Sequence, residues 1–162
     1  MVGPGSGFGA MGAVTFRRAT ASDLPAIVAM LADDGLGRGR EDASLPLAPP
    51  YLDAFAAIEA DSNQILAVAE ADGAVVGTLQ LTFIPGLSHK GAWRGQVESV
   101  RVASSRRGTG LGQAMLEWAL DECRARGCRM VQLTTDKSRA DAHRFYERLG
   151  FKASHEGFKL VL

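Results

Sequence analysis

At 162 residues the chain has the length of one domain, and a fold of that size buries roughly 70% of the surface its unfolded form exposes, so it needs no disulfide or metal to hold together. Its 18 Lys and Arg balance 18 Asp and Glu, and no basic block exceeds two residues, which removes the electrostatic basis for a nucleic-acid groove. No run approaches the ~18 apolar residues of a membrane helix, and Cys123 and Cys128 lack the second pair or the histidines of a metal site; they read as reduced thiols of a soluble, cytoplasmic protein.

Residues 1–12, MVGPGSGFGAMG, have neither the cationic start nor the apolar core of a signal peptide and read as a flexible tail ahead of one domain over 13–162. Residues 14–18 alternate as a strand. Ser22 offers a helix N-cap ahead of Leu24, Ile27, Val28 and Leu31, which share one helical face. Residues 35–50, rich in Gly, Pro and charge, predict a mobile segment, and 51–60 a second helix with Leu52, Phe55 and Ala56 inward. Residues 65–71 and 74–84 are β-branched apolar runs around Asp72-Gly73, a strong hairpin signal. The polar loop LSHKGAWR then leads to a strand over 96–103, in which alternation puts Glu98, Val100 and Val102 on one face. A helix over 111–126, with Leu111, Met115, Trp118 and Ala119 on one side, ends at Gly127; a strand follows at 130–135, and a helix over 140–149 stops at Gly150. Residues 151–154 and 158–161 predict two short closing strands. The β–α–β unit over 96–135 requires a parallel pair and the hairpin an antiparallel one, so the expected fold is a mixed α/β sheet with helices on its faces.

The segment RRGTGLG, 106–112, precedes a helix, where unpaired N–H groups and the positive dipole end make an anion site. It is not a Walker loop, since Gln113 stands where that loop needs Lys, and it is not a dinucleotide fingerprint, since Met115 breaks the G-x-G-x-x-G spacing from Gly110. The pattern that fits is R-x-x-G-x-G, carried by Arg107, Gly110 and Gly112.

With that motif in VRVASSRRGTGLGQAM, a strand and then AHRFYERLGF about thirty residues on, and FRRATASDLPAIVAML near the start, the chain resembles the GNAT superfamily of acyl-CoA-dependent N-acetyltransferases. Locally it is most similar to the aminoalkylphosphonate N-acetyltransferase branch. The resemblance implies a single-domain, mostly antiparallel sheet of about 6–7 strands with about 4 helices, acetyl-CoA as cosubstrate, no metal, a small-molecule primary amine as acceptor and dimerisation in many members. It implies that the pyrophosphate lies on Arg107, Gly108, Thr109, Gly110, Leu111 and Gly112, and that the pantetheine arm pairs with Val100, Arg101 and Val102 where two strands splay. Tyr146 matches the tyrosine that lies beside the thioester and serves as general acid in many members. Many members also carry Asn seven positions before that tyrosine, where this chain has Arg139.

An alkylamine with a pKa near 10.4 must lose a proton before it attacks, and Glu98 is the candidate base; a solvent-facing strand glutamate is the alternative reading. His143, one helical turn before Tyr146, and His89 and Trp93, in the loop before the 96–103 strand, are candidate substrate contacts, against which stand a structural histidine and a solvated loop. An acceptor with an anionic group calls for a cation such as Lys90, Arg94 or Arg101. A protein N-terminus or lysine as acceptor, and a CoA-binding module without transfer, remain as alternatives.

Overall fold

The computed structural model describes residues 13–162, and the tail expected over 1–12 lies outside the described residues. Its sheet contains β1 (Thr15–Arg18), β2 (Gln64–Ala71), β3 (Ala74–Ile84), β4 (Arg94–Val102) and β5 (Met130–Leu133), in sequence order across the sheet. The first four are antiparallel neighbours and β5 runs parallel to β4, as the hairpin and the β–α–β unit require.

Among the described residues five helices accompany them: α1 (Leu24–Ala32), α2 (Pro49–Ala60), the single turn α3 (Ser88–Gly91), left-handed at His89 and Lys90, α4 (Leu111–Ala125) and α5 (Ala140–Arg148). Leu24 and Ile27 of α1 and Phe55 of α2 pack with Val68 on one face of the sheet. On the other face Leu111, Met115, Leu116, Ala119 and Cys123 of α4 cover Ile65, Ala67, Leu79, Leu81, Phe83 and Val97, with Phe145 and Tyr146 of α5 against them. The sheet is apolar on both sides, so β2 and β3 read as nearly continuous apolar runs.

Three sequence expectations change. Ser22 is not the cap of α1: the chain enters through a 3-10 turn (Ala21–Asp23), and Asp23 accepts hydrogen bonds from Thr20 N–H (2.7 Å) and from Arg17 (2.7 Å). In α2, which begins at Pro49, only Phe55 of the expected inward residues is buried: it alone reaches Leu24, Ile27 and Val68, and Leu52 and Ala56 stay exposed. The two closing strands do not form, and the sheet has five strands rather than six or seven. Among the described residues, no backbone group from 155 to 162 finds a hydrogen-bonding partner, and strand-like composition alone cannot make a strand.

Candidate functional site

The bulge in β4 sets out the site. Thr78 pairs with Arg101 and Gln80 with Glu98, so β4 carries one residue more than β3 over this interval. The extra residue is Ser99, held at a left-handed φ of 54°. One inserted residue reverses the in–out alternation. Val97, Val100 and Val102 therefore all pack into the α4-side core, while Glu98 is exposed and lies away from them. Glu98 does not share a face with Val100 and Val102, as simple alternation predicts.

At the same place β5 leaves β4. Their last pair is Val97 with Leu133, and β4 continues to Val102 with β3 as its remaining strand neighbour. The opened edge from Glu98 to Val102 offers backbone groups to an extended ligand.

Beyond a 3-10 turn (Ser104–Arg106), β4 leads into the glycine segment. Gly108 and Gly110 have φ of 74° and 85°, and a Cβ on either would meet nothing within 4 Å, so glycine serves the backbone path there and leaves the approach open. Gly112 differs. A Cβ on it would lie 3.6 Å from Phe145 and 3.7 Å from Val102, which lets α4 sit close against α5 and β4. Gly110 caps α4 without a side chain, and the first intrahelical bond is Ala114 N–H to Gly110 C=O (3.1 Å). The N–H groups of Leu111, Gly112 and Gln113 have no backbone partner among the described residues, and they aim the helix's positive end outward. Thr109, Gly110 and Leu111 line a recess with Val14, Phe16 and Val76, while Thr109 donates to Arg106 C=O at 2.6 Å.

Val100, Arg101, Val102 and Arg107 meet at a cavity of about 340 Å³ closed by Asp33, Asp34 and Arg38 after α1 and by Arg139 before α5. Asp34 receives Arg101 at 3.3 Å and also Arg139, and Asp33 receives Arg107 at 3.3 Å. Burial pushes the Asp34 carboxyl upward, but the Arg139 hydrogen bond and the charges of Arg101, Arg139 and Arg40 outweigh it and hold Asp34 below its ordinary value. Burial draws Arg101 downward, opposed by Asp34. Four guanidinium groups face two carboxylates here, so the cavity has cationic charge left for an anionic ligand.

Tyr146 stands behind this cavity, its ring edge-on to Phe145 (5.2 Å between centroids) and Phe151 (5.9 Å). Burial raises its hydroxyl above the ordinary tyrosine value, against the opposing pull of Arg101 and Arg139. The hydroxyl thus stays protonated at neutral pH, as a proton donor must.

The remaining residues singled out from the sequence lie apart from the cavity lining. His143 points a ring nitrogen to within 3.2 Å of Asp136 C=O, an anchoring contact. His89 and Trp93 are exposed in the β3–β4 connection, His89 at φ 53°. Residues the sequence reading missed are Asp33, Asp34 and Arg38; they follow α1 in a stretch whose composition says only loop, and nothing local marks their meeting with Arg101 and Arg139.

Among the described residues no helix is long and apolar enough to cross a membrane. Residues 34–151 match the model of the acetyltransferase (GNAT) family. The chain is 34% identical over 146 residues, 90% of each protein, to the aminoalkylphosphonate N-acetyltransferase of Salmonella typhimurium. It is 34% identical over 90 residues, 56% of this chain and 59% of the relative, to the glucosamine 6-phosphate N-acetyltransferase of Trypanosoma brucei brucei. Among solved structures, one described as a transcriptional regulator from Bacillus halodurans C-125 superposes with a TM-score of 0.90 at 51% identity, covering 93% of this chain and all of that one.

Proposed function

The chain is an acyltransferase of the acetyltransferase (GNAT) family, and from that premise we propose that it moves an acetyl group from acetyl-CoA to the primary amine of a small molecule bearing an anionic group. One observation carries the donor side: the open edge of β4 runs directly into a helix N-terminus with three unpartnered N–H groups. An extended pantetheine arm suits the edge at Val100, Arg101 and Val102. A pyrophosphate suits the N–H cluster at Leu111, Gly112 and Gln113, with Arg107, Gly108, Thr109 and Gly110 alongside.

In the reaction the amine nitrogen forms the new N–C bond as the thioester C–S bond breaks. The amine gives up a proton to Glu98, directly or through water, and the departing sulfur takes one from the Tyr146 hydroxyl. Glu98 stays in this role although the bulge turns it from Val100 and Val102, because it is exposed on the stretch of β4 that β5 has left. The surplus cationic charge of Arg38, Arg101 and Arg139 supports an acceptor with a phosphonate, phosphate or carboxylate, and the relatives named for aminoalkylphosphonate and glucosamine 6-phosphate support the same class.

The test is CoA thiol release from acetyl-CoA across matched amines with and without an anionic group. Turnover that favours the anionic members is expected. No release with any amine, together with a thermal shift on adding CoA, would leave a CoA-binding module and sink the enzymatic reading of the site; turnover restricted to peptides would redirect it to protein acetylation.

A further inference from the structure

Four of the chain's five glutamines, Gln64, Gln80, Gln96 and Gln132, lie one on each of β2, β3, β4 and β5. Three of them stand in one row across the sheet, Gln64 opposite Thr82, Thr82 opposite Gln96 and Gln96 opposite Gln132, with Gln80 two residues along β3 from Thr82. Alternation puts all four on one face. Their chain neighbours Ile65, Leu81, Val97 and Leu133 belong to the core under α4, so the glutamines point to the opposite side. There α1 and α2 cover Leu66 and Val68 but leave Gln64, Gln80 and Gln96 half-buried and Gln132 exposed.

The row is tied together by its own side chains. Gln80 Nε2 and Thr82 Oγ1 both donate to Gln64 Oε1, at 3.1 and 2.9 Å, and Gln132 Nε2 donates to Gln96 Oε1 at 2.7 Å. Glutamine is among the side chains that lose most rotamer freedom on ordering, so amides fixed in this way form a surface set in advance of a ligand. Gln80 Oε1, Gln96 Nε2 and Gln132 Oε1 keep hydrogen-bonding capacity with no partner among the described residues. These neutral donors and acceptors suit hydroxyl and amide groups rather than ions.

Glu98 belongs to the same face. It stands directly opposite Gln80, which places their Cβ atoms about 5 Å apart, and two residues along β4 from Gln96, about 7 Å away. Past the bulge at Ser99, Arg101 returns to this side, where its guanidinium meets Asp34 beyond α1. One strip therefore runs from Gln132 and Gln96 past Glu98 to the cationic cavity. Resting on the acetyl-transfer reading above, we propose that Gln80 and Gln96, with Gln132 behind them, form a second acceptor subsite that takes a hydroxyl or amide group of the acceptor. With the amine at Glu98 and the anionic group against Arg101 and Arg139, the glutamines meet whatever branches from the amine-bearing carbon away from the anion. The acceptor class is accordingly an anionic amine with a hydroxyl or amide group on that branch; a bare alkyl branch leaves the amides without a partner.

Serinol phosphate and alaninol phosphate differ by one such hydroxyl. Thiol release from acetyl-CoA is expected to give serinol phosphate a kcat/KM at least about 10-fold above that of alaninol phosphate, since a site built to hydrogen-bond a hydroxyl rejects the analogue that lacks it. In the double variant Gln80→Met/Gln96→Met, which keeps side-chain length and removes both amides, that ratio is expected to fall to about twofold or less. Should the variant fold poorly, nuclear magnetic resonance on the unaltered chain decides: with CoA present, the side-chain amide signals of Gln80 and Gln96 are expected to move on adding serinol phosphate and to move far less on adding alaninol phosphate. A parent that treats the two phosphates alike, a preference that survives in the double variant, or amide signals that respond equally to both would each overturn the subsite. Amide signals that move selectively without thiol release from either phosphate would uphold the subsite and refute the acetyl-transfer reading; thiol release without preference would do the reverse.

Discussion

Tyr146→Phe separates chemistry from packing at the centre of the site. The ring makes edge-on contacts with Phe145 at 5.2 Å and Phe151 at 5.9 Å, and phenylalanine keeps both. The hydroxyl has no hydrogen-bond partner among the described residues, so its removal leaves no protein group unsatisfied, and the change in folding stability is expected to stay within about 0.5 kcal/mol. Tyr146→Ala would instead remove a half-buried aromatic ring at about 3–5 kcal/mol and confuse the two effects. A positioned general acid contributes about 10²–10⁴ in rate, or roughly 3–5.5 kcal/mol of barrier. Turnover by Tyr146→Phe should fall by that factor, with the affinity for CoA and the melting temperature nearly unchanged. The assay is steady-state thiol release beside calorimetric CoA binding and a thermal melt. Because burial raises the Tyr146 hydroxyl above its ordinary value, the alkaline loss of activity that it causes should have its midpoint above that of a free tyrosine and be absent from the phenylalanine variant. A variant retaining turnover within about threefold of the parent would remove Tyr146 from acid catalysis, whatever the melt showed.

Three further outcomes follow from the geometry. Arg139→Ala should raise KM for an anionic amine by roughly 10–100-fold, the worth of one charge-assisted hydrogen bond of about 1.5–3 kcal/mol, and change a matched neutral amine about twofold or less; equal effects on both amines would place Arg139 outside acceptor recognition. Gly110→Ala must hold an L side chain at φ 85°, a strain of about 1–2 kcal/mol that lowers the melting temperature by a few degrees, and its distortion of the α4 N-terminus should weaken CoA binding at least 10-fold in calorimetry. Hydrogen bonding to Arg17 holds the Asp23 carboxyl at about 2, below its ordinary 3.8. A lowered folded-state pKa gives stability that is present above the unfolded value and is lost as pH falls towards about 2; at 1.36 kcal/mol per unit it is on the order of 2–3 kcal/mol. Asp23→Asn should therefore destabilise the chain by up to that amount at pH 7 and much less near pH 2 in urea titrations.

What the sequence made legible is the structure that neighbouring residues specify among themselves. Gly108 and Gly110 are glycines because their backbones occupy left-handed space, and Gly127 and Gly150 sit just past helix ends at φ 75° and 93°, so the glycine loop and the borders of α4 and α5 could be read before any coordinates. The hairpin at Asp72-Gly73 and the β4–α4–β5 crossover were legible for the same reason. The bulge was not. Serine at φ 54° gives no local signal, because the extra residue is fixed by how β4 registers on β3, and that single residue turned Glu98 from the face of Val100 and Val102.

Contacts between distant segments were hidden for a related reason. Arg139 and Asp34 are 105 residues apart and meet because α1 ends and α5 begins over the same stretch of β4. Read alone, Arg139 is a departure from the family's asparagine; beside Asp34 and Arg101 it is part of a cationic wall, which is the basis on which we propose that its charge serves the acceptor. The closing strands differ from both cases. FKLVL reads as a strand from its composition, and within one copy it is an exposed arm, since a strand exists only with an edge to pair on.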